Sequence, residues 1–337
     1  MQKKRKYKRR SSANAPLIAA VAILCVTLIA LTFVYISMNR KPSETGSTGT
    51  GTGTNQQKTA DTTPETGKQQ PTTEYIPPVT ADPVVPTTEQ NTTAQQTATH
   101  KPAEIDDIIA IADSLNIDVN DLSGFSLDGL YPGTILKKTE DAGELYQSET
   151  IFVGDSVTLA LSYWKYHPKE KVYYFETATP YTVLNNKLVK KDDGTLITFT
   201  EEMKNVAPRR IVITIGTNAT SISDKTFIKY YGDLIDALRE ACPDTELIIN
   251  SIPPLTAYCD ENPNYKVFKN FRINRMNLLL VGLAAYKDVP FMNLAEEFKD
   301  EAGQLKKAYS SDDTCHVNQS GCDAWLKYFR EHSTIAQ

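Results

Sequence analysis

The chain has 337 residues and a formal net charge of −5, and its first ten residues, MQKKRKYKRR, hold seven basic side chains and no acidic one. Setting those seven charges aside leaves −12 for residues 11–337, an acidic body unsuited to capturing nucleic acid or other polyanions. The length allows one or two domains, but the composition of the N-terminal part argues against a globular fold there.

Residues 1–14 read as a basic cytoplasmic tail. Residues 15–38, APLIAAVAILCVTLIALTFVYISM, contain no charged side chain, and about 20 apolar residues suffice to cross a bilayer core of roughly 30 Å. The run is too long for the apolar region of a cleaved signal peptide, and FVYISMNRK offers no small-residue cleavage site. The expectation is an uncleaved transmembrane signal-anchor that touches the lipid bilayer through 15–38. The basic flank stays in the cytoplasm. The predicted localisation is therefore the cell membrane, single-pass, with the working part outside. Residues 39–103 are rich in Thr, Pro, Gln and Gly, as in TGSTGTGTGTNQQK, and are expected to be a disordered linker because they cannot bury enough apolar surface to fold.

Residues 104–147 are predicted to be a small helical lead-in. EIDDIIAIADSLNI has helical spacing, DVNDLSGF suggests a second short helix with Asp118 as its cap, and LYPGTILKK reads as a turn and a strand. "IIAIADSLNIDVNDL" followed by "LYPGTILKK" resembles the later part of a LysM glycan-binding module. The first strand of such a module, with its Gly-Asp-Thr entry, is missing.

Residues 148–337 alternate strand and helix patterns. ETIFVGDS is a strand entering a helix, KVYYFE a second strand, and LVKKDDGTLITF a hairpin with Asp-Gly at its turn. PRRIVITIG, ELIINSIPP and DVPFMNL are further strands, separated by amphipathic helices and followed by a closing helix, GCDAWLKYFREH. Strands separated by helices imply a parallel sheet covered on both faces. The expected fold is a three-layer α/β/α doubly wound domain, in which ligands bind beyond the carboxyl ends of the strands.

Three candidate clusters fall at that edge. Gly154-Asp155-Ser156 ends the first strand; the serine is either a nucleophile at a site suited to an oxyanion or an ordinary helix cap. Gly216-Thr217-Asn218 ends the next long strand; its asparagine amide is an oxyanion donor or part of a common Gly/Asn turn. DDTCHVNQSG carries His316 with Asp313 three residues before it, a spacing that lets a carboxylate orient an imidazole. The other histidines, His100, His167 and His332, lie in the linker, after the first helix and near the chain end. No Walker loop, H-E-x-x-H, G-x-S-x-G or C-x-x-C is present, so no metal or organic cofactor is expected.

Together, "FVGDSVTLAL", "ITIGTNAT" and "DDTCHVNQSG" resemble the SGNH (GDSL-type) hydrolase family over residues 150 to about 332. The resemblance implies a flavodoxin-like fold and a Ser-His-Asp triad of Ser156, His316 and Asp313, with Asp312 at the wrong spacing. It also implies an oxyanion hole formed by the Ser156 N–H, the Asn218 side chain and a third N–H. The loop that normally supplies this third donor from a glycine reads FETATPYTVL and has none, which leaves Ala178 or Thr179.

The function expected on this basis is an extracytoplasmic serine esterase removing O-acyl groups, acetyl being the simplest, from cell-envelope glycans through an acyl-enzyme. Two alternatives stay open: acyl transfer to an envelope polysaccharide, with a membrane acyltransferase as an unidentified partner, and a non-catalytic glycan-binding protein. Cys25 lies in the apolar run. Cys242, Cys259, Cys315 and Cys322 could form up to two disulfides outside or remain thiols. A Cys315–Cys322 bridge would pin the His316 loop to the last helix.

Overall fold

A computed structural model describes residues 100–335. The predicted tail and transmembrane segment, and nearly all of the predicted linker, lie outside these residues. Among the described residues no helix is long and apolar enough to cross a membrane.

The chain enters through helix α1 (Asp107–Ser114) and α2 (Gly143–Ser148), then β1 (Thr150–Gly154), α3 (Leu159–Tyr163) and β2 (Val172–Tyr174). Helix α4 (Pro180–Asn185) leads to the hairpin β3 (Lys187–Lys190) and β4 (Leu196–Thr198), followed by α5 (Phe199–Val206) and β5 (Arg210–Thr214). After α6 (Asp224–Ala241) come β6 (Glu246–Asn250), α7 (Ala257–Glu261), α8 (Asn270–Lys287), β7 (Phe291–Met292), α9 (Leu294–Phe298) and α10 (Gln319–Glu331).

Five strands form one sheet in the order β2-β1-β5-β6-β7, and all four pairings are parallel. This is the mixed α/β architecture with a parallel central sheet expected from the alternating pattern. The strands are apolar throughout because both faces are covered. Ile151, Val153, Ile211, Ile213, Leu247 and Ile249 point into one core with the apolar faces of α6 and α8. Phe152, Val212, Ile248 and Met292 point into the other, against Leu161, Phe298, Trp325 and Phe329. The period of two along each strand thus sorts side chains into two helical layers. Each fully buried Phe, Leu or Ile contributes about 1.5–3 kcal/mol.

The lead-in does not stand apart from this domain. Ile108, Leu127, Leu130 and Tyr131 join one core, and Leu136 and Tyr146 join the other. Ile135 bridges Phe291 in parallel register, with Leu136 N–H donating to the Phe291 carbonyl at 2.9 Å. The stretch predicted as a strand is therefore reduced to a single bridge beside β7. At the amino ends of β5 and β6 the Tyr146 ring lies 3.6 Å from the Arg210 guanidinium, which also pairs with Glu246 at 2.6 Å. The second short helix is replaced by turns. Asp118 accepts from the Asn120 N–H at 2.9 Å, an Asx turn rather than a helix cap.

Candidate active site

Three loops meet at the carboxyl edge of the sheet. At the end of β1 the chain turns sharply: Val157 N–H donates to the Asp155 carboxylate at 3.1 Å, and Thr158 N–H to the Asp155 carbonyl at 3.0 Å. A Cβ on Gly154 would lie 2.4 Å from the Thr214 carbonyl oxygen and 1.9 Å from Thr158 Oγ1, so only glycine fits here. Ser156 sits in the turn, three residues before α3 begins at Leu159. Its backbone N–H has no acceptor among the described residues.

Asp155 is buried, and its side chain spans to the second loop, accepting from the N–H groups of Gly216 at 3.3 Å and Thr217 at 3.0 Å. Burial raises its pKa, against the opposing effect of these backbone donors. The residue reads in the sequence as part of the serine turn. In the structure it is the tie that sets the Gly-Thr-Asn loop against that turn.

The third loop carries His316, whose Nε2 lies 3.0 Å from Ser156 Oγ. Its Nδ1 is hydrogen-bonded to Oδ2 of Asp312. This corrects the expected partner: Asp312, four residues before the histidine, replaces Asp313. The reason lies in the backbone. Asp313 adopts a left-handed φ of 59°, its N–H is bound by Ser310 Oγ at 3.1 Å, and its carbonyl accepts from Thr256 Oγ1. Its side chain is exposed and has no hydrogen bond among the described residues. Asp312 instead accepts from the Thr314 N–H at 3.0 Å and Thr314 Oγ1 at 2.7 Å, an Asx turn that aims the other carboxylate oxygen at the ring.

An ionised carboxylate only accepts hydrogen bonds, so the Nδ1 contact places the imidazole proton there and leaves Nε2 to accept from the serine hydroxyl. The Asp312 hydrogen bond and charge raise the His316 pKa above its ordinary value, against partial desolvation. Desolvation works to raise the Asp312 pKa, but the hydrogen bonds from His316 and Thr314 and the imidazolium charge outweigh it, and the net direction is down. The pair favours an ionised carboxylate beside a basic imidazole.

Asn218 lies on the short 3-10 turn Thr217–Ala219, with one amide N–H given to the Glu176 carbonyl at 3.1 Å. An amide carries two such protons, so one remains for a ligand. The glycine-free loop differs from expectation. Ala178 N–H is committed to the Phe175 carbonyl at 2.9 Å, and Thr179 N–H to Thr182 Oγ1 at 2.9 Å within the capping box of α4. Neither is a free oxyanion donor. The N–H groups of Glu176 and Thr177 in the same loop have no acceptor among the described residues.

Cys242, Cys259, Cys315 and Cys322 are all free thiols, so the expected Cys315–Cys322 bridge is absent. Burial pushes the Cys322 thiol up to about 12 and the Cys259 thiol up to about 11, which makes both poor nucleophiles. Among the described residues no cluster of His, Cys, Asp and Glu is arranged to hold a metal ion.

Residues 152–324 match the profile of the GDSL-like lipase/acylhydrolase family. Among solved structures, the chain is similar to a protein from Streptococcus pneumonia assigned as a platelet activating factor, at 20% identity and a TM-score of 0.43, covering 66% of this chain and 91% of that one. It is also similar to a GDSL-like lipase from Bacteroides thetaiotaomicron VPI-5482, at 17% identity and a TM-score of 0.41, covering 55% and 87%. No curated protein matches.

Proposed function

Because this chain belongs to the GDSL-like lipase/acylhydrolase family and is an ester-bond hydrolase, we propose that it removes O-acyl groups, acetyl first among them, from cell-envelope glycans while tethered to the membrane by residues 15–38. The observation that carries the catalytic part is the Ser156 Oγ contact with His316 Nε2 at 3.0 Å, backed by Asp312 on Nδ1. The glycan and the tether rest on the uncharged run in residues 15–38 and the polar linker after it.

In this reading Ser156 Oγ attacks the ester carbonyl and its proton passes to His316 Nε2. Negative charge collects on the carbonyl oxygen, where the Ser156 N–H and the second Asn218 amide proton stabilise it. Asp312 holds the imidazolium in place. The tetrahedral species collapses, His316 gives the proton to the departing sugar oxygen, which leaves as a hydroxyl, and an acyl-Ser156 ester remains. Water then attacks that ester, giving up its proton to His316, and the carboxylic acid is released as Ser156 recovers its proton.

Hydrolysis of 4-nitrophenyl acetate and of an O-acetylated glycan by the wild type and by Ser156→Ala tests the proposal. A wild-type rate at least about a thousandfold above the variant is expected. Equal rates would remove Ser156 from the chemistry.

A further inference from the structure

We infer that Tyr258 and Tyr265 form a sugar-stacking subsite beside the His316 loop, which holds the glycan ring whose ester is cleaved. The inference rests on the esterase reading of the same site and names the part of the surface that would select the substrate.

The segment between β6 and α8 is fastened to the triad loop. Thr256 N–H donates to the Thr314 carbonyl at 2.8 Å, and Thr256 Oγ1 donates to the Asp313 carbonyl. The same Oγ1 accepts the Cys259 N–H at 3.2 Å and so caps α7. At the far end, Asp260 accepts the Asn270 N–H at 2.6 Å and closes the segment onto the start of α8. A segment held at both ends presents its side chains in a fixed arrangement.

Those side chains are aromatic. Tyr258 and Tyr265 meet edge to face with centroids 6.3 Å apart, and Tyr265 meets Phe268 in the same way at 6.4 Å. Tyr258 nevertheless remains 58% exposed, and Val267 and Phe271, near Phe268 in the chain, 46% and 45%. Leaving this much apolar area in water brings no gain to the fold, and an exposed apolar patch next to a reactive centre marks a ligand surface. Thr256, where the segment is hydrogen-bonded to the triad loop, lies two residues before Tyr258 in the chain.

The occupant follows from the mixed character of the patch. A pyranose offers an apolar face of C–H groups and a rim of hydroxyls. Tyrosine matches both with a flat ring and a polar tip. The polar side chains of Asp260, Asn262 and Asn264 lie within the same segment. An acyl chain has no hydroxyls for these groups.

The test compares kcat/KM for an O-acetylated chito-oligosaccharide with kcat/KM for 4-nitrophenyl acetate, using the full chain. Tyr258→Ala and Tyr265→Ala should lower the ratio of the two values about tenfold, mostly through the KM for the oligosaccharide. Leu145→Ala, an exposed apolar residue on α2, should leave the ratio at the wild-type value. An unchanged ratio in both tyrosine variants, with melting temperatures matching the wild type, would overturn the subsite. Selective loss on 4-nitrophenyl octanoate instead would overturn it in favour of an acyl-chain surface. A wild type that cleaves 4-nitrophenyl acetate but not the oligosaccharide would overturn the subsite and leave the esterase standing; one that cleaves neither would overturn both.

Discussion

Asp312, not Asp313, holds the Nδ1 side of His316. Because this contact raises the His316 pKa, and a general base works only when deprotonated, kcat/KM should climb with pH through a midpoint above the ordinary histidine value of about 6.5. Asp312→Asn should move that midpoint down and lower the rate by about 10²–10⁴-fold, while Asp313→Asn keeps both near wild type. A pH–rate series on the three proteins checks this, and a damaged Asp313→Asn beside a healthy Asp312→Asn would reverse the assignment.

Asn218 gives one amide proton to the Glu176 carbonyl, and the proposed mechanism assigns the other to the oxyanion. Asn218→Ala should reduce kcat by about 10²–10³-fold, the range for a single lost oxyanion donor, with a smaller change in KM. Steady-state kinetics on 4-nitrophenyl acetate give the two numbers. A change confined to KM would mean that the amide binds substrate without stabilising the transition state.

Asp155 ties the serine turn to the Gly-Thr-Asn loop through buried backbone donors. Asp155→Ala leaves those N–H groups without an acceptor, at about 1–3 kcal/mol for each that water cannot reach. The expected outcome is a melting temperature lower by about 5–15 °C. A thermal unfolding curve matching wild type would show that the loops are held by other contacts.

Lys299 packs over the Phe125 ring at 4.5 Å and donates to Asn274 Oδ1 at 3.1 Å. Burial lowers its pKa to about 8, with Glu296 opposing. The unfolded chain titrates this group near 10.4, so between about pH 8 and 10.4 the unfolded state binds more protons, and stability conferred by this residue rises with pH. Urea unfolding across that window should show the rise in wild type and a flatter profile in Lys299→Met.

Much of the fold was legible because its signals are local and periodic. Apolar strands such as RIVIT, bounded by turns and separated by amphipathic helices, leave few arrangements besides a covered parallel sheet. The Asp-Gly of the hairpin was readable for the same reason, with Gly194 at a φ of 87°. The serine, asparagine and histidine loops were placed by their positions after strands.

What escaped depended on backbone detail or distant packing. The partner of His316 is decided by a left-handed residue at 313, which no spacing rule announces in an Asp-Asp pair. The commitment of the Ala178 and Thr179 N–H groups depends on how α4 is capped. The merging of the lead-in with the domain depends on Ile135 pairing with Phe291, far along the chain.

The central claim is that Ser156 is a nucleophile activated by His316, and active-site labelling tests it most directly. Wild-type protein treated with a fluorophosphonate should gain one adduct, mapped by mass spectrometry to the peptide containing Ser156, and His316→Ala should label far more slowly. An adduct on another residue, or equal labelling rates in wild type and His316→Ala, would contradict the account.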